Sequence, residues 1–275
     1  MSADFSEDHN AMHDGAARFA ADVFGPANLR ALRDTADGCD RQALSQTIKN
    51  GWLSILVAEE LGGTGQDVFA AAIVCQAFGA ELSNIPAASS MAALAAVAQV
   101  PHWHKHRAFT DSIAGKAVIL PALAGLNISA SALKGADGGG LVCNRSAGGA
   151  AFINGTRRLV HAGAAADYFL VEIDDIAGAM LALVRRDYPG LQIVTQRTID
   201  GGSLIDLEFG NCVFGGEDIV FESIDSRAIA KSMRARLHIL LAAELAGLME
   251  TAISRTLEHM RTREQFGKPL GSFQA

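Results

Sequence analysis

A run of apolar residues at three- and four-residue steps, Ile229, Met233, Leu237, Leu240, Leu241, Leu245, Leu248, Ile253, Leu257 and Met260, continues without a proline until Pro269. This spacing lays one stripe along a single α-helix, with Asp225 or Ser226 as its expected N-cap. At about 1.5 Å per residue the helix is on the order of 50 Å long. A stripe of that length needs antiparallel partners to cover it. Only the turn-rich Gly267–Gly271 and a few residues up to Ala275 follow. The expectation is therefore that other subunits supply the partners or that the chain is C-terminally incomplete.

Two other textures precede this helix. From Ala11 to about Ala114 the period is helical: Ala16, Phe19, Ala20, Val23 and Phe24 share a face, Gly25-Pro26 stops it, and further helices are expected over Arg41–Asn50, Val68–Glu81 and Ala87–Val100. From about Lys116 to Phe221, short Val-, Ile- and Phe-rich runs alternate with Gly, Asn and Asp about every ten residues, the rhythm of an antiparallel β-structure. Asn154-Gly155 reads there as a two-residue hairpin turn. The expected fold class is α+β. An all-α helical domain spans residues 1–114, a small antiparallel β-barrel or sandwich spans 115–223, and the truncated start of a C-terminal four-helix bundle spans 224–275.

Composition narrows the function. The chain has 275 residues, 49% of them apolar, and a net charge of −7, which excludes a disordered chain and leaves no cation excess for nucleic acid. Its four cysteines lie far apart without a CxxC, the pattern of reduced thiols in a cytoplasmic protein. Met1–Asn10 is acidic and polar, so no signal peptide is expected. The Ala-rich Ala87–Val100 is broken by Ser89, Ser90 and Gln99 and is too short to span a bilayer; no membrane partner is expected. His102, His104 and His106 alternate after Pro101, a spacing read as a solvated linker and not as a metal site. Ser131 and Lys134 have S-x-x-K spacing without the companion motifs. The glycine clusters Gly62–Gly65 and Gly138–Gly140 lack a strand–turn–helix setting and read as turns.

The most specific signal is Arg263-Glu-Gln265-Phe266-Gly267-Lys-Pro269-Leu-Gly-Ser-Phe273-Gln274 after the long helix. A guanidinium there offers a planar fork of donors suited to a diphosphate, an amide gives and accepts hydrogen bonds, and a glycine lets backbone approach a ligand. This segment, with the α–β–α order, resembles the acyl-CoA dehydrogenase family, whose R-x-Q-F-G-x-P-[LI]-x-x-F-Q it nearly completes. Gly51-Trp52-Leu53 followed by Glu59–Gly65, and Ile153–Arg157 followed by Ala162–Leu170, are similar to two further family segments in the same order. The resemblance implies that Arg263, Gln265, Phe266 and Gln274 contact the FAD of a neighbouring subunit. It also implies an acyl-CoA thioester as substrate, an electron-transfer flavoprotein as electron acceptor, and a homo- or hetero-oligomer.

Departures from the family pattern also bear on activity. Leu120–Asn127 lacks the hydroxyl and carboxylate of the family's first strand, and Leu159-Val160-His161 stands where the family has W-I-[TS]. His161 can donate a hydrogen bond to the flavin in place of the lost hydroxyl. The base that takes the α-proton must be a desolvated carboxylate. One family position for it falls near Leu237, which cannot take a proton; Glu244, two turns on, is the only carboxylate in the apolar heart of the helix. No catalytic residue is therefore assigned. The resemblance implies an FAD-dependent α,β-dehydrogenation of an acyl-CoA, incomplete or partner-dependent in this chain. The alternatives are a non-catalytic subunit of a heteromeric acyl-CoA dehydrogenase and a flavin-dependent monooxygenase of the same fold.

Overall fold

Side-chain caps set where the first helices begin. In the structure, a computed structural model, residues 6–32, 35, 38–123, 140–146, 150–175, 178–199, 201–223 and 225–273 are described. Ser6 Oγ accepts the His9 amide at the start of α1 (Glu7–Val23), and Asp40 Oδ1 accepts the Gln42 and Ala43 amides at the start of α3 (Arg41–Lys49). Asp67 Oδ1 does the same for Ala70 in α4 (Val68–Ala80). Each such cap satisfies an orphan amide and contributes about 1 kcal/mol. Gly25, at φ 123°, ends α1, but Pro26 opens a further helix, α2 (Pro26–Leu32). Proline at the first helical position loses no hydrogen bond, so Gly25-Pro26 is a stop and a restart. A helix not expected from sequence, α6 (Arg107–Ile113), follows the three histidines.

Two of those histidines have partners within the fold, while His102 is exposed. His104 Nε2 meets the Ala98 carbonyl at 2.7 Å, and His106 stacks on Trp103 with ring centroids 4.1 Å apart. His106 Nδ1 also accepts the Ala108 amide and so caps α6.

The strands form one sheet in the order β6-β7-β3-β2-β4-β5-β8, with β1 on β4. Their spans are β1 Ile119–Ala122, β2 Val142–Arg145, β3 Ala151–His161, β4 Tyr168–Asp175, β5 Gly178–Arg185, β6 Leu191–Arg197, β7 Ser203–Phe214 and β8 Ile219–Ser223. Pairing is antiparallel except at β1–β4 and one bridge of β2–β4. Asn154-Gly155 is not a hairpin. Both residues lie inside β3, and the register against β7 slips between Ile153 and Gly155. Gly155 does take positive φ, 119°, but as a bulge: a Cβ there would come within 2.4 Å of the Gly140 carbonyl oxygen. Asn154 Oδ1 accepts the Asn211 amide across the irregularity. The S-x-x-K residues Ser131 and Lys134, the stretch 124–127 and Gly138–Gly139 lie outside the described residues.

The long helix, α7 (Asp225–Thr262), includes both residues expected to cap it, and the cap position falls outside the described residues. By length and composition α7 can also cross a membrane: one 18-residue window has mean hydropathy 1.4 and is 17% buried. Its first half is nevertheless a protein-core helix, with Ala230, Met233, Leu237 and Leu240 buried. It lies on α4, on α5 (Ala87–Val97) and on the sheet. Every residue of α5 is buried, which explains why that Ala-rich segment carries no polar face. Where α4 crosses α7, a Cβ on Gly79 would fall 2.0 Å from the Glu244 carbonyl oxygen, and one on Gly247 1.9 Å from that of Gln76. The two glycines bring the backbones into contact and fix where Glu244 sits. Past Leu245 the apolar stripe is open: Met249 and Ile253 are 58% and 61% exposed.

Candidate functional site

A cleft of about 420 Å³ opens between the helices and one end of the sheet, within the size range of small-ligand sites. Gly79, Leu82, Ser83 and the Asn84–Ser89 segment form one wall, Leu241, Glu244, Leu245 and Leu248 of α7 a second, and His161, Ala162, Gly202 and Ser203 a third. His161 ends β3 between two residues in the left-handed region, Leu159 at φ 57° and Ala162 at φ 52°. Such conformations cost roughly 1–2 kcal/mol and need support. The support is visible. Asp206 Oδ1 accepts the Leu159 amide at 2.7 Å, and the Ala162 amide donates to the Ser203 carbonyl at 2.8 Å. The turn beyond is clamped by two guanidiniums, Arg41 donating to the Ala165 carbonyl and Arg186 to that of Gly163.

Glu244 is the only carboxylate lining the cleft among the described residues. Burial pushes its carboxyl up to about 7. It also faces the Cys75 thiol of α4, which burial and then the Glu244 charge raise well above its ordinary value. Across the cleft His161 comes from the sheet, and α5 presents only Ala87, Ala88 and Ser89. The folded protein therefore keeps a proton on Glu244, between its ordinary 4.5 and about 7, that the unfolded chain has released. This contribution to stability is complete below the ordinary value and is lost as pH rises through about 7. Glu244→Gln removes the titration. Between pH 5 and pH 8 the variant is expected to gain on the order of 2 kcal/mol relative to the parent, read by denaturant unfolding at both pH values. A constant difference would contradict the assignment.

The other site residues expected from sequence lie elsewhere. After α7 the chain forms a two-stranded hairpin, β9 (Glu264–Gln265) on β10 (Lys268–Pro269), held by the Leu270 amide donating to the Arg263 carbonyl. Phe266 and Gly267 form its turn with φ of 53° and 78°, the pair of positive values a primed hairpin turn requires. Phe266 is 93% exposed and lies edge-on to Phe273 at 6.3 Å. Arg263 and Gln265 are exposed beside it, and Gln274 lies outside the described residues. The hairpin thus brings Arg263, Gln265 and Phe266 together, but not with His161. Arg263 stands about 22 Å along the α7 axis beyond Leu248, the last α7 residue of the cleft. Leu237, near one family position for the base, is buried apolar core. Sequence reasoning did not find Ser83, whose buried Oγ has no hydrogen-bond partner. Nothing in its local pattern marks it, because only tertiary packing brings it to the cleft.

Comparison with known proteins bears on the family and the fold. The family model described as acyl-CoA dehydrogenase, N-terminal domain, matches residues 6–106, and that for the acyl-CoA dehydrogenase C-terminal domain matches 228–275. The chain is similar to acyl-CoA dehydrogenase FadE27 of Mycobacterium tuberculosis, 30% identical over 254 residues that make up 92% of this chain and 65% of that protein. It therefore spans a little under two thirds of that relative's length. Among solved structures, the ChsE4–ChsE5 complex from Mycobacterium tuberculosis superposes with a TM-score of 0.84 at 26% identity, covering 99% of this chain and 72% of that one. PigA with FAD and proline shares the fold, with a TM-score of 0.82 at 18% identity over 100% of this chain and 73% of that one.

Proposed function

Since the chain belongs to the acyl-CoA dehydrogenase family, we propose that it takes part in the FAD-dependent α,β-dehydrogenation of an acyl thioester. The observation that carries this reading is the C-terminal hairpin. It displays a guanidinium, an amide and an exposed aromatic ring on a turn held in an uncommon conformation, about 22 Å past the chain's own cleft. Donors placed so far from that cleft suit a cofactor held by a neighbouring subunit. The residues fit FAD: Arg263 and Gln265 have the donor set for its diphosphate, Phe266 offers an apolar face, and His161 offers a ring nitrogen on the sheet side. When bound, FAD supplies the acceptor for the hydride that leaves the β-carbon. The chain's own groups hold the acyl part of the thioester in the cleft, exclude water from it, and steady the wall that carries His161.

A second reading, a partner-dependent subunit that completes another chain's flavin site, is favoured by the apolar Leu237 at a base position. An electron-transfer flavoprotein as acceptor, an oligomeric assembly, a cytoplasmic location and the division at residues 114/115 and 223/224 belong to the same proposal. The test is spectroscopic. The purified protein is expected to carry flavin absorbance, alone or with a second polypeptide, and to bleach anaerobically with an acyl-CoA. Flavin acquired only with the second polypeptide selects the subunit reading. Protein that takes up no flavin in either form contradicts both.

A further inference from the structure

The cleft is mostly apolar, with Asn84, Ser89, His161 and Ser203 on its walls and a single carboxylate among the described residues. Where α4 crosses α7, Glu244 lines it, close enough to Cys75 of α4 for its charge to act on that thiol. The Ser83 hydroxyl, buried and without a partner, belongs to a residue that lines the same cleft. No cation of the protein compensates Glu244 among the described residues; burial alone governs its proton. The position is enforced by backbone contact, since Gly79 leaves room for nothing between α4 and the Glu244 carbonyl. The Ser83 hydroxyl is withdrawn from water, and the carboxyl of the half-buried Glu244 is partly so; such groups cost free energy unless something hydrogen-bonds to them. An all-apolar acyl chain would leave both unmet, and retaining them in a site meant for one would only weaken binding.

We propose that Glu244, assisted by Ser83, makes the cleft select acyl groups that bear a hydrogen-bond donor, a hydroxyl or an amine, remote from the thioester. This rests on the thioester reading given above and specifies its substrate class. Glu244 stands on the helical wall about two turns past the Leu237 base position of the same helix, and His161 on the sheet wall. The assignment is therefore to recognition of the acyl end and not to proton removal at the α-carbon. A site built to hydrogen-bond a ligand group rejects the analogue without it far more strongly than an apolar pocket rejects a missing methylene.

The test measures binding without turnover. Matched alkyl-CoA thioethers of equal length ending in a methyl, a hydroxyl or an ammonium group are titrated calorimetrically into the protein, with its partner polypeptide if one is needed for flavin. The parent is expected to bind the two donor-bearing ligands about tenfold to a hundredfold more tightly than the methyl ligand. Glu244→Leu is expected to abolish or reverse that order, and Glu244→Gln to keep part of the hydroxyl preference while losing that for ammonium. Equal binding of all three ligands, or an order that survives Glu244→Leu, overturns the proposal and leaves the thioester reading standing. Binding of none overturns both. A parallel assay follows exchange of the α-hydrogens of a bound acyl-CoA with heavy water. Exchange lost in Glu244→Gln with the ligand order unchanged would make Glu244 the base and overturn its role in selection.

Discussion

Glu172→Met is expected to cost about 3–5 kcal/mol of stability, the loss typical of removing one partner from a buried charge cluster. Arg157 of β3 is 3% exposed, and its Nη2 donates to the Glu172 carbonyl at 2.5 Å. The Glu172 carboxylate pairs with Arg234 of α7. Burial lowers the Arg157 guanidinium below its ordinary value; the Glu172 and Asp174 charges oppose that, and Arg234 adds to it. Glu172 is therefore the counter-charge between two guanidiniums, one from the sheet and one from the long helix. Without it they repel each other in a medium that screens poorly. Urea unfolding should show the loss in full, whereas Glu172→Gln, which keeps a hydrogen-bond acceptor, should lose less. A change under about 1 kcal/mol in Glu172→Met would mean that the cluster is solvated enough to be dispensable.

Arg263→Ala is expected to weaken flavin retention about tenfold to a hundredfold while leaving the unfolding midpoint unchanged. The side chain is exposed at the end of α7, so its removal takes nothing from the core. Its backbone carbonyl, which accepts the Leu270 amide, stays in place. Arg263→Lys should recover only part of the affinity, because an ammonium keeps the charge and loses the planar fork. Fluorescence titration of the flavin separates the three proteins. Retention in Arg263→Ala equal to the parent's would remove the guanidinium from the cofactor site.

The parts of the fold that were legible in the sequence are those governed by one-dimensional periodicity. The α7 stripe follows from apolar spacing, and the helices at Val68 and Ala87 from apolar runs separated by the Ser83–Pro86 turn signal. Features set by contacts between distant segments were not legible. Asn154-Gly155 suggests a turn with positive φ at both residues, but only Gly155 takes it and the strand runs on through a register slip against β7. At the site, Arg263, Gln265 and Phe266 were legible because they are adjacent in sequence and share one turn. Glu244 was visible as an isolated carboxylate in an apolar helix. That it lines a cleft with Ser83 and His161 depends on the Gly79–Gly247 crossing, which joins residues more than 150 positions apart.

The most direct measurement is an anaerobic titration of the flavin-bearing protein, with its partner polypeptide if one is required, against a series of acyl-CoA thioesters, followed by visible absorbance. Stoichiometric bleaching by at least one thioester is expected, with recovery of colour on adding an electron-transfer flavoprotein. A flavin that no thioester reduces, but that oxygen and an external reductant turn over with substrate hydroxylation, would contradict it.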